Sequence, residues 1–525
     1  MVFSEGWAII PIINLQRMEH NLWTRDRLQE FCETRLYGRK LIVVSNREPY
    51  IHQHGADGIE CICPASGMAT ALHPVLAATG GTWIAHGSGS ADREMVDETD
   101  RVAVPPGDPQ YSLRRVWLTP EQEEGFYYGL SNEGLWPLCH ITFNRPVFRP
   151  EDWEQYRKAN DVFADAVLKE AGDEPAIIFI QDYHFALLPR ILKLRSKGNL
   201  VIAHFWHIPW PNKEVFRAFP WGEELLDGLL GNDLLGFHIR LHCQNFRDTV
   251  DRSIEAWVNP DLSKITRGGS DTLIRPFPIS IDFAGHEAAS QSPVVAAAME
   301  RWVARLDLRG RKLGVGIERL DYTKGIPSRL EAIDYFLTHH PEWRGRVLFV
   351  QIAAPSRSSL VSYQLEETAI DALADQINEK WGSPQGPALI LLKQHHGQAD
   401  MIALHRLCDV FMVNALHDGM NLVAKEFAAS RTDECGVLLL SRFTGAWREL
   451  DEAVAFNPFA IREISEALRT GLEMDEAEQR RRMSRMREHI RFNNVYRWAG
   501  KILSMLLKFD IPEFYTDGNE TSSLD

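Results

Sequence analysis

The chain has 525 residues, 45% of them hydrophobic and 25% charged, which is the composition of a folded globular protein with enough length for two domains. Its formal net charge of −15 argues against a nucleic acid or an anionic membrane as partner, because either is bound by a basic face. An anionic ligand must then be held by locally placed cations.

In chain order, the opening MVFSEGWAIIPIINLQRMEHNLW has an early acidic residue, no basic lead and no small-residue cleavage site, so it does not read as a secretory signal. No stretch approaches the ~18 uninterrupted apolar residues of a membrane helix. Residues 1–38 read as an added helical segment. The seven cysteines are odd in number and mostly scattered. Cys61 and Cys63 form C-x-C without a second pair, which suits reduced thiols in a cytoplasmic enzyme better than a zinc site.

From there, short apolar runs rich in β-branched residues recur, each followed by a turn and a helical pattern. LIVVSN (41–46), AIIFIQ (176–181), LVIAHFW (200–206) and DLLGFH (233–238) form one series. KLGVGIE (312–318), RVLFVQIA (346–353), ALILLK (388–393), DVFMVN (409–414) and GVLLLS (436–441) form a second. Runs of this length suit strands buried on both faces, and their alternation with helices predicts an α/β protein with parallel, doubly wound sheets. Two prolines in RPFPISIDF (275–283) mark a seam. This gives an N-terminal α/β domain over 39–278, a C-terminal one over 279–490, and a cleft between them. A helix around Val495–Leu507, within 491–515, carries apolar residues at helical spacing and packs on the body, while TDGNETSSLD (516–525) has the composition of a disordered tail.

In such sheets, ligands bind beyond the carboxyl ends of the strands. Six segments with chemistry stand there: Ser45-Asn46-Arg47, Asp182-Tyr183-His184, His207 to Pro211, Glu318 to Gly325, Pro355-Ser356-Arg357, and His417 to Glu426. Singly, each has an ordinary explanation. An arginine after a strand is usually a surface or salt-bridge residue, the histidine of HIPWP can cap its strand, and Asp418-Gly419 is a common turn pair. Together they supply guanidinium, ammonium, carboxylate and imidazole groups to one cleft, as a charged polyhydroxyl ligand requires.

Arg319 and Lys324 offer a fork and a point charge to a diphosphate leaving group, whose negative charge grows as its glycosidic bond breaks. In Asp418-Gly419-Met420-Asn421 the glycine lets backbone N–H groups approach sugar or phosphate oxygens. Glu426, one helical turn further, is placed to accept both hydroxyls of a ribose. The chain has no D-x-D to hold Mg²⁺ or Mn²⁺ on a nucleotide diphosphate, no G-x-x-x-x-G-K-[ST] and no opening G-x-G-x-x-G. HGSGSAD (86–92) is glycine-rich at the wrong spacing and reads as a loop.

SNR, LWP with its following histidine (135–140), QDYH, HIPWP, GFH, ERLDYTKG, PSR, DGMNLVAKE and NPF stand in the order found in trehalose-6-phosphate synthases. The sequence resembles that family from about residue 40 to about residue 508. The resemblance implies a GT-B fold, two Rossmann-like domains around a cleft, and sugar transfer with retention of configuration. It implies no metal and no cofactor beyond the nucleotide-sugar substrate. By motif, Arg319, Lys324, Asp418, Gly419, Met420, Asn421, Leu422 and Glu426 would hold the donor, with His207 beside the transferred glucosyl unit. Arg47, Gly67, Tyr127, Trp136, Asp182 and Arg357 would form the acceptor side, with the two arginines on its phosphate. His207, Arg319, Lys324 and Asp418 would be the catalytic set. The family uses no carboxylate nucleophile, and the donor phosphate takes the acceptor proton on the same face.

The departures are Ser66 and Met68 around Gly67, where the family has a glycine pair, His86 in place of a tryptophan, His417 in place of an arginine, and SRFTGA in place of SEFAGA. SNREPY resembles the related glucosylglycerol-phosphate synthases. The implied reaction moves glucose from a nucleoside-diphosphate glucose to glucose 6-phosphate, forming trehalose 6-phosphate. Transfer to glycerol 3-phosphate and an inactive regulatory role are the alternatives. An idle copy would be expected to lose some of Arg319, Lys324, Asp418 and Glu426, and all are present. A homo-oligomer is compatible with the sequence.

Overall fold

The computed structural model describes residues 22–509 except 57, 65 and 66, so Ser66, most of the N-terminal extension and the expected tail at 516–525 lie outside the described residues. Within the extension, Thr24 caps a helix over Arg25–Arg35 by accepting from Arg27 N, and Leu28 and Cys32 are buried beneath it.

The apolar runs form strands as their composition dictates. Every residue of Ala176–Gln181 and of Leu200–Phe205 is buried, as both-face burial in a parallel sheet requires. Among the described residues there are two large sheets. The first has ten strands, with Ser270–Pro276, Leu234–Phe237, Leu200–Phe205, Ala176–Gln181, Lys40–Val44, Thr82–His86 and Tyr111–Val116 side by side. All of these pairs are parallel. The second has six strands, Leu389–Leu392, Val347–Ala354, Lys312–Arg319, Val410–Val413, Val437–Ser441 and Val454–Phe456, again all parallel. Its spatial order corresponds to the 3-2-1-4-5-6 arrangement of a Rossmann fold.

The first sheet is not wholly parallel. Arg101–Val104 runs antiparallel to Tyr111–Val116 at one edge, and Trp257–Asn259, Lys264–Arg267 and Ser270–Pro276 form an antiparallel meander at the other. A hairpin of Ile51–Gly55 and Gly58–Ile62 stands apart. Tyr111–Val116 was hidden in the sequence because two of its residues are arginines, yet Arg114 and Arg115 are both buried.

One apolar cluster runs from Val43, Phe179 and Ala203 in the first sheet through Ile279 and Phe283 to Val315, Phe411 and Leu440 in the second. The terminal helix Val495–Leu506 joins it by returning to the first sheet. The Trp498 ring lies 5.2 Å from Phe205 and 5.7 Å from Phe179, and its Nε1 donates to Phe277 O at 3.2 Å. Among the described residues no helix is long and apolar enough to cross a membrane, and the described cysteines are free, with Cys61 and Cys63 exposed.

Candidate functional site

A cavity of about 350 Å³ lies where the carboxyl ends of the two parallel sheets face each other. On the first sheet, Ala176–Gln181 ends at Asp182, whose φ of 71° lies in the left-handed region that non-glycine residues seldom occupy. The turn brings Asp182 Oδ1 onto the backbone N–H groups of Tyr183 (3.0 Å) and His207 (3.2 Å). Burial outweighs these hydrogen bonds and lifts its carboxyl to about 7. His207 follows Leu200–Phe205. Gln181 Nε2 donates to Phe179 O, so Gln181 Oε1 must be the acceptor and His207 Nε2 the donor of their 2.9 Å bond. Burial pulls the His207 ring down to about 3, leaving it neutral at physiological pH.

Arg47 stands beyond Lys40–Val44 and donates from Nη2 to Tyr127 Oη at 2.9 Å. Tyr127 belongs to a 12-residue π-helix, Glu124–Leu135, a form that concentrates at functional sites. Asn132 of the same helix donates to Tyr127 O and accepts from Tyr183 Oη, tying this helix to the Asp182 turn.

From the second sheet comes Arg357, with φ 48°, after Val347–Ala354. Its guanidinium lies 4.3 Å over the Trp136 ring and donates to Tyr183 Oη and Asp321 Oδ2, both at 3.4 Å, and to Tyr363 Oη. Burial alone would raise the Tyr127 phenol, but Arg357 and Arg47 outweigh it and bring it to about 7. Guanidiniums from opposite halves thus line one cavity: Arg47 hydrogen-bonds the Tyr127 phenol, and Arg357 lowers its pKa while donating to Tyr183 and Tyr363.

Lys312–Arg319 leads into Asp321, which accepts from Thr323 N and Oγ1 and so caps the turn Tyr322–Lys324. Burial favours protonation of Asp321, but Arg357, Arg319 and Lys324 hold it below the usual carboxylate range. Lys324 Nζ lies 2.6 Å from Asp418 Oδ2, which also accepts from Asn421 Nδ2 at 3.3 Å. Asn421, at φ 104°, caps Leu422–Ser430 through Ala424 N. The Arg319 side chain is one-third exposed (33%), and its nearest ion-pair partner is Asp321 at 3.9 Å. Glu426 has no side-chain hydrogen-bond partner among the described residues, and burial raises it to about 7.

Arg47, Gly67, Tyr127, Trp136, Asp182, His207, Arg319, Lys324, Arg357, Asp418, Met420, Asn421, Leu422 and Glu426 all line this cavity. Gly419 does not. A Cβ there would fall 2.1 Å from His207 O, so the missing side chain permits the close approach of the two halves. Of the departures, Met68 lines the cavity, whereas His86 is buried and does not, with Nδ1 on Val116 O at 3.1 Å. His417 Nδ1 donates to His140 O at 2.8 Å across the cleft.

Sequence reasoning missed His395 and His396, which also line the cavity. They follow the strand Leu389–Leu392, so the strand-end rule applied to the other runs would have found them. Tyr363 sits in a helix and left no such signal. Among the described residues no group of three or more His, Cys, Asp or Glu is placed to hold a metal ion.

The chain matches the sequence model of glycosyltransferase family 20 over residues 39–508. It is 36% identical over 481 residues to the bifunctional trehalose-6-phosphate synthase/phosphatase of Thermoproteus tenax, covering 89% of this chain and 63% of that protein's length. A structure from E. coli bound with UDP-2-fluoro glucose superposes with a TM-score of 0.80 at 30% identity, covering 90% of this chain and 99% of that one. An α,α-trehalose-phosphate synthase (UDP-forming) from Burkholderia xenovorans in complex with glucose-6-phosphate gives 0.80 at 29%, covering 89% and 100%. The facing Rossmann-like sheets are a GT-B fold, and the chain belongs to glycosyltransferase family 20, the trehalose-6-phosphate synthase family.

Proposed function

We propose that the protein transfers glucose from a nucleoside-diphosphate glucose, UDP-glucose foremost, to glucose 6-phosphate, releasing the nucleoside diphosphate and forming trehalose 6-phosphate. The observation that carries this reading is that Arg47 and Arg357, from opposite halves, both line the cavity and both draw down the Tyr127 phenol, which Arg47 hydrogen-bonds. A phosphate monoester offers two charges and three acceptor oxygens to such a pair, where the phenol offers one oxygen. The ligands of the E. coli and B. xenovorans structures are a donor analogue and this acceptor.

Around that grip the roles divide by chemistry. Arg319, whose nearest ion-pair partner is 3.9 Å away, lines the cavity with Lys324, and together they stabilise the diphosphate charge that grows as the glycosidic bond breaks. They supply positive charge where a metal ion would otherwise be needed. Asp418 holds the Lys324 ammonium in place, and Asn421 fixes Asp418 in turn. Glu426 takes the ribose diol. Trp136, Asp182 and Gly67 shape the acceptor sugar's space, and His207, neutral and oriented by Gln181, lies beside the transferred glucosyl unit.

The other carboxylates of the cavity are engaged. Asp182 accepts two backbone N–H groups through its Oδ1, Asp418 pairs with Lys324, and Glu318 is clamped by Arg329 and Gln351. This supports transfer on one face, with a donor phosphate oxygen taking the acceptor proton, over a double displacement through an enzyme carboxylate.

The test is kcat/KM for each substrate in wild type, Arg47→Ala and Arg357→Ala. Removing a phosphate ligand should raise the glucose 6-phosphate KM by about a hundredfold, the ~3 kcal/mol expected of a charge-assisted hydrogen bond, and leave donor affinity nearly unchanged. Arg47→Lys should recover only part, since an ammonium cannot form the bidentate fork. Equal losses toward both substrates, or none, would remove the arginines from the acceptor site.

A further inference from the structure

Arg115 is buried within Tyr111–Val116 and does not line the cavity, yet it is the hub of a charged network beside Arg47. Its Nε donates to Glu48 Oε2 at 2.9 Å, and its Nη2 lies 2.7 Å from Asp92 Oδ1. Nη1 donates to Asp92 O at 2.9 Å, while Nη2 also reaches Tyr50 O (3.1 Å) and His52 Nδ1 (2.7 Å).

The two carboxylates pass this anchorage to the backbone. Glu48 Oε1 accepts from Ser88 N at 3.0 Å and from Ser88 Oγ at 3.3 Å. Asp92 Oδ1 accepts from His52 N at 2.7 Å, and Oδ2 accepts from Gly89 N at 2.6 Å. Gly89 has no room for a side chain, since a Cβ would fall 2.3 Å from His52 O. The glycine-rich stretch 86–92 is thus one wall of a clamp, and the segment 48–52 is the other.

Burying an arginine with two carboxylates is a poor way to gain stability, because desolvation cancels most of the attraction. Its effect is to fix geometry. Arg47 is the residue immediately before Glu48, and its own side chain has Tyr127 as its hydrogen-bond partner. The direction of its guanidinium is set by that bond together with the backbone it leaves from, which Ser45 Oγ holds at Arg47 O (2.6 Å) on one side and the clamped Glu48 holds on the other.

We propose that Arg115, acting through Glu48 and Asp92, is the positioning residue that aims Arg47 at the acceptor phosphate. This rests on the reading of Arg47 as a phosphate ligand. A merely structural Arg115 would change thermal stability while leaving the ratio of donor to acceptor constants untouched.

The experiment compares Arg115→Met and Glu48→Gln with wild type and Arg47→Ala, measuring the glucose 6-phosphate KM and the dissociation constant of UDP-glucose. Glu48→Gln keeps the volume but sets an N–H₂ against either Arg115 Nε or Ser88 N. Both variants should raise the acceptor KM by about tenfold or more, as expected for a displaced binding group, with the UDP-glucose constant within about twofold of wild type. An unchanged acceptor KM, or parallel losses for both ligands, overturns the proposal. If Arg115→Met does not fold, Glu48→Gln decides by the same criteria. Should Arg47→Ala raise the acceptor KM while the two variants do not, the positioning role alone fails. Should Arg47→Ala leave it unchanged, the phosphate reading fails with it.

Discussion

Glu426 titrates at about 7 because burial disfavours its charge and no side chain of the described residues compensates. A ribose diol donates two hydrogen bonds to the ionised carboxylate, so donor binding favours the deprotonated form. Below pH 7 the free protein carries the proton and binding must expel it. The UDP-glucose dissociation constant should therefore rise as pH falls below 7, approaching about tenfold per unit, and level off above it. The sugar diphosphate carries no group titrating in that range, so calorimetry between pH 5.5 and 8 reads the protein alone. A flat wild-type profile, or the same slope in Glu426→Gln, would take Glu426 off the ribose. Asp182 and Tyr127 also titrate near 7 but lie on the acceptor side of this reading, so donor binding without acceptor separates them from Glu426.

Among the elements, the loop that enters Leu422–Ser430 meets the end of Leu200–Phe205 at Gly419. Its absent side chain lets His207 O approach, and on its other side a Cβ on Gly445 would fall 2.0 Å from Gly419 O. Gly419→Ala would press a methyl group onto a backbone carbonyl of the facing sheet, and backbone cannot swing away as a flexible side chain can. The strand ends carrying His207 and Asp418 would separate, and a misplacement of about 1 Å in a site of this kind costs on the order of a hundredfold in kcat/KM. Near-wild-type turnover in Gly419→Ala would show that the contact is slack.

This contact was the least legible part of the site. Asp418-Gly419 reads as a turn in sequence, and only the facing His207 carbonyl reveals why no side chain fits. By contrast, Arg319, Lys324 and Asp418 were visible because they follow long apolar runs whose strand character is unambiguous. The buried Arg114 and Arg115 disguised their strand for the opposite reason, since charge inside an apolar pattern reads as surface.

In the whole molecule, the two halves are joined twice, once through 277–283 and again where Val495–Leu506 returns to the first sheet. The sequence showed that this helix is amphipathic but not which half it covers, because the face of Phe179 and Phe205 that receives Trp498 exists only after the sheet forms. Trp498→Ala would empty that contact and orphan Phe277 O, and should cost about 3–5 kcal/mol of stability, read as a lower thermal unfolding midpoint. An unchanged midpoint would mean that the helix is not part of the cooperative core.

The proposed reaction can be tested directly by incubating the protein, in excess EDTA, with UDP-glucose and either glucose 6-phosphate or glycerol 3-phosphate, and identifying the product by NMR. GDP- and ADP-glucose serve as alternative donors. The two-arginine phosphate grip and the Arg319–Lys324 charge at the diphosphate predict α,α-linked trehalose 6-phosphate from glucose 6-phosphate, undiminished by the chelator. No transfer to glucose 6-phosphate from any of the three donors, preferential transfer to glycerol 3-phosphate, or loss of activity restored by Mg²⁺ would contradict the account.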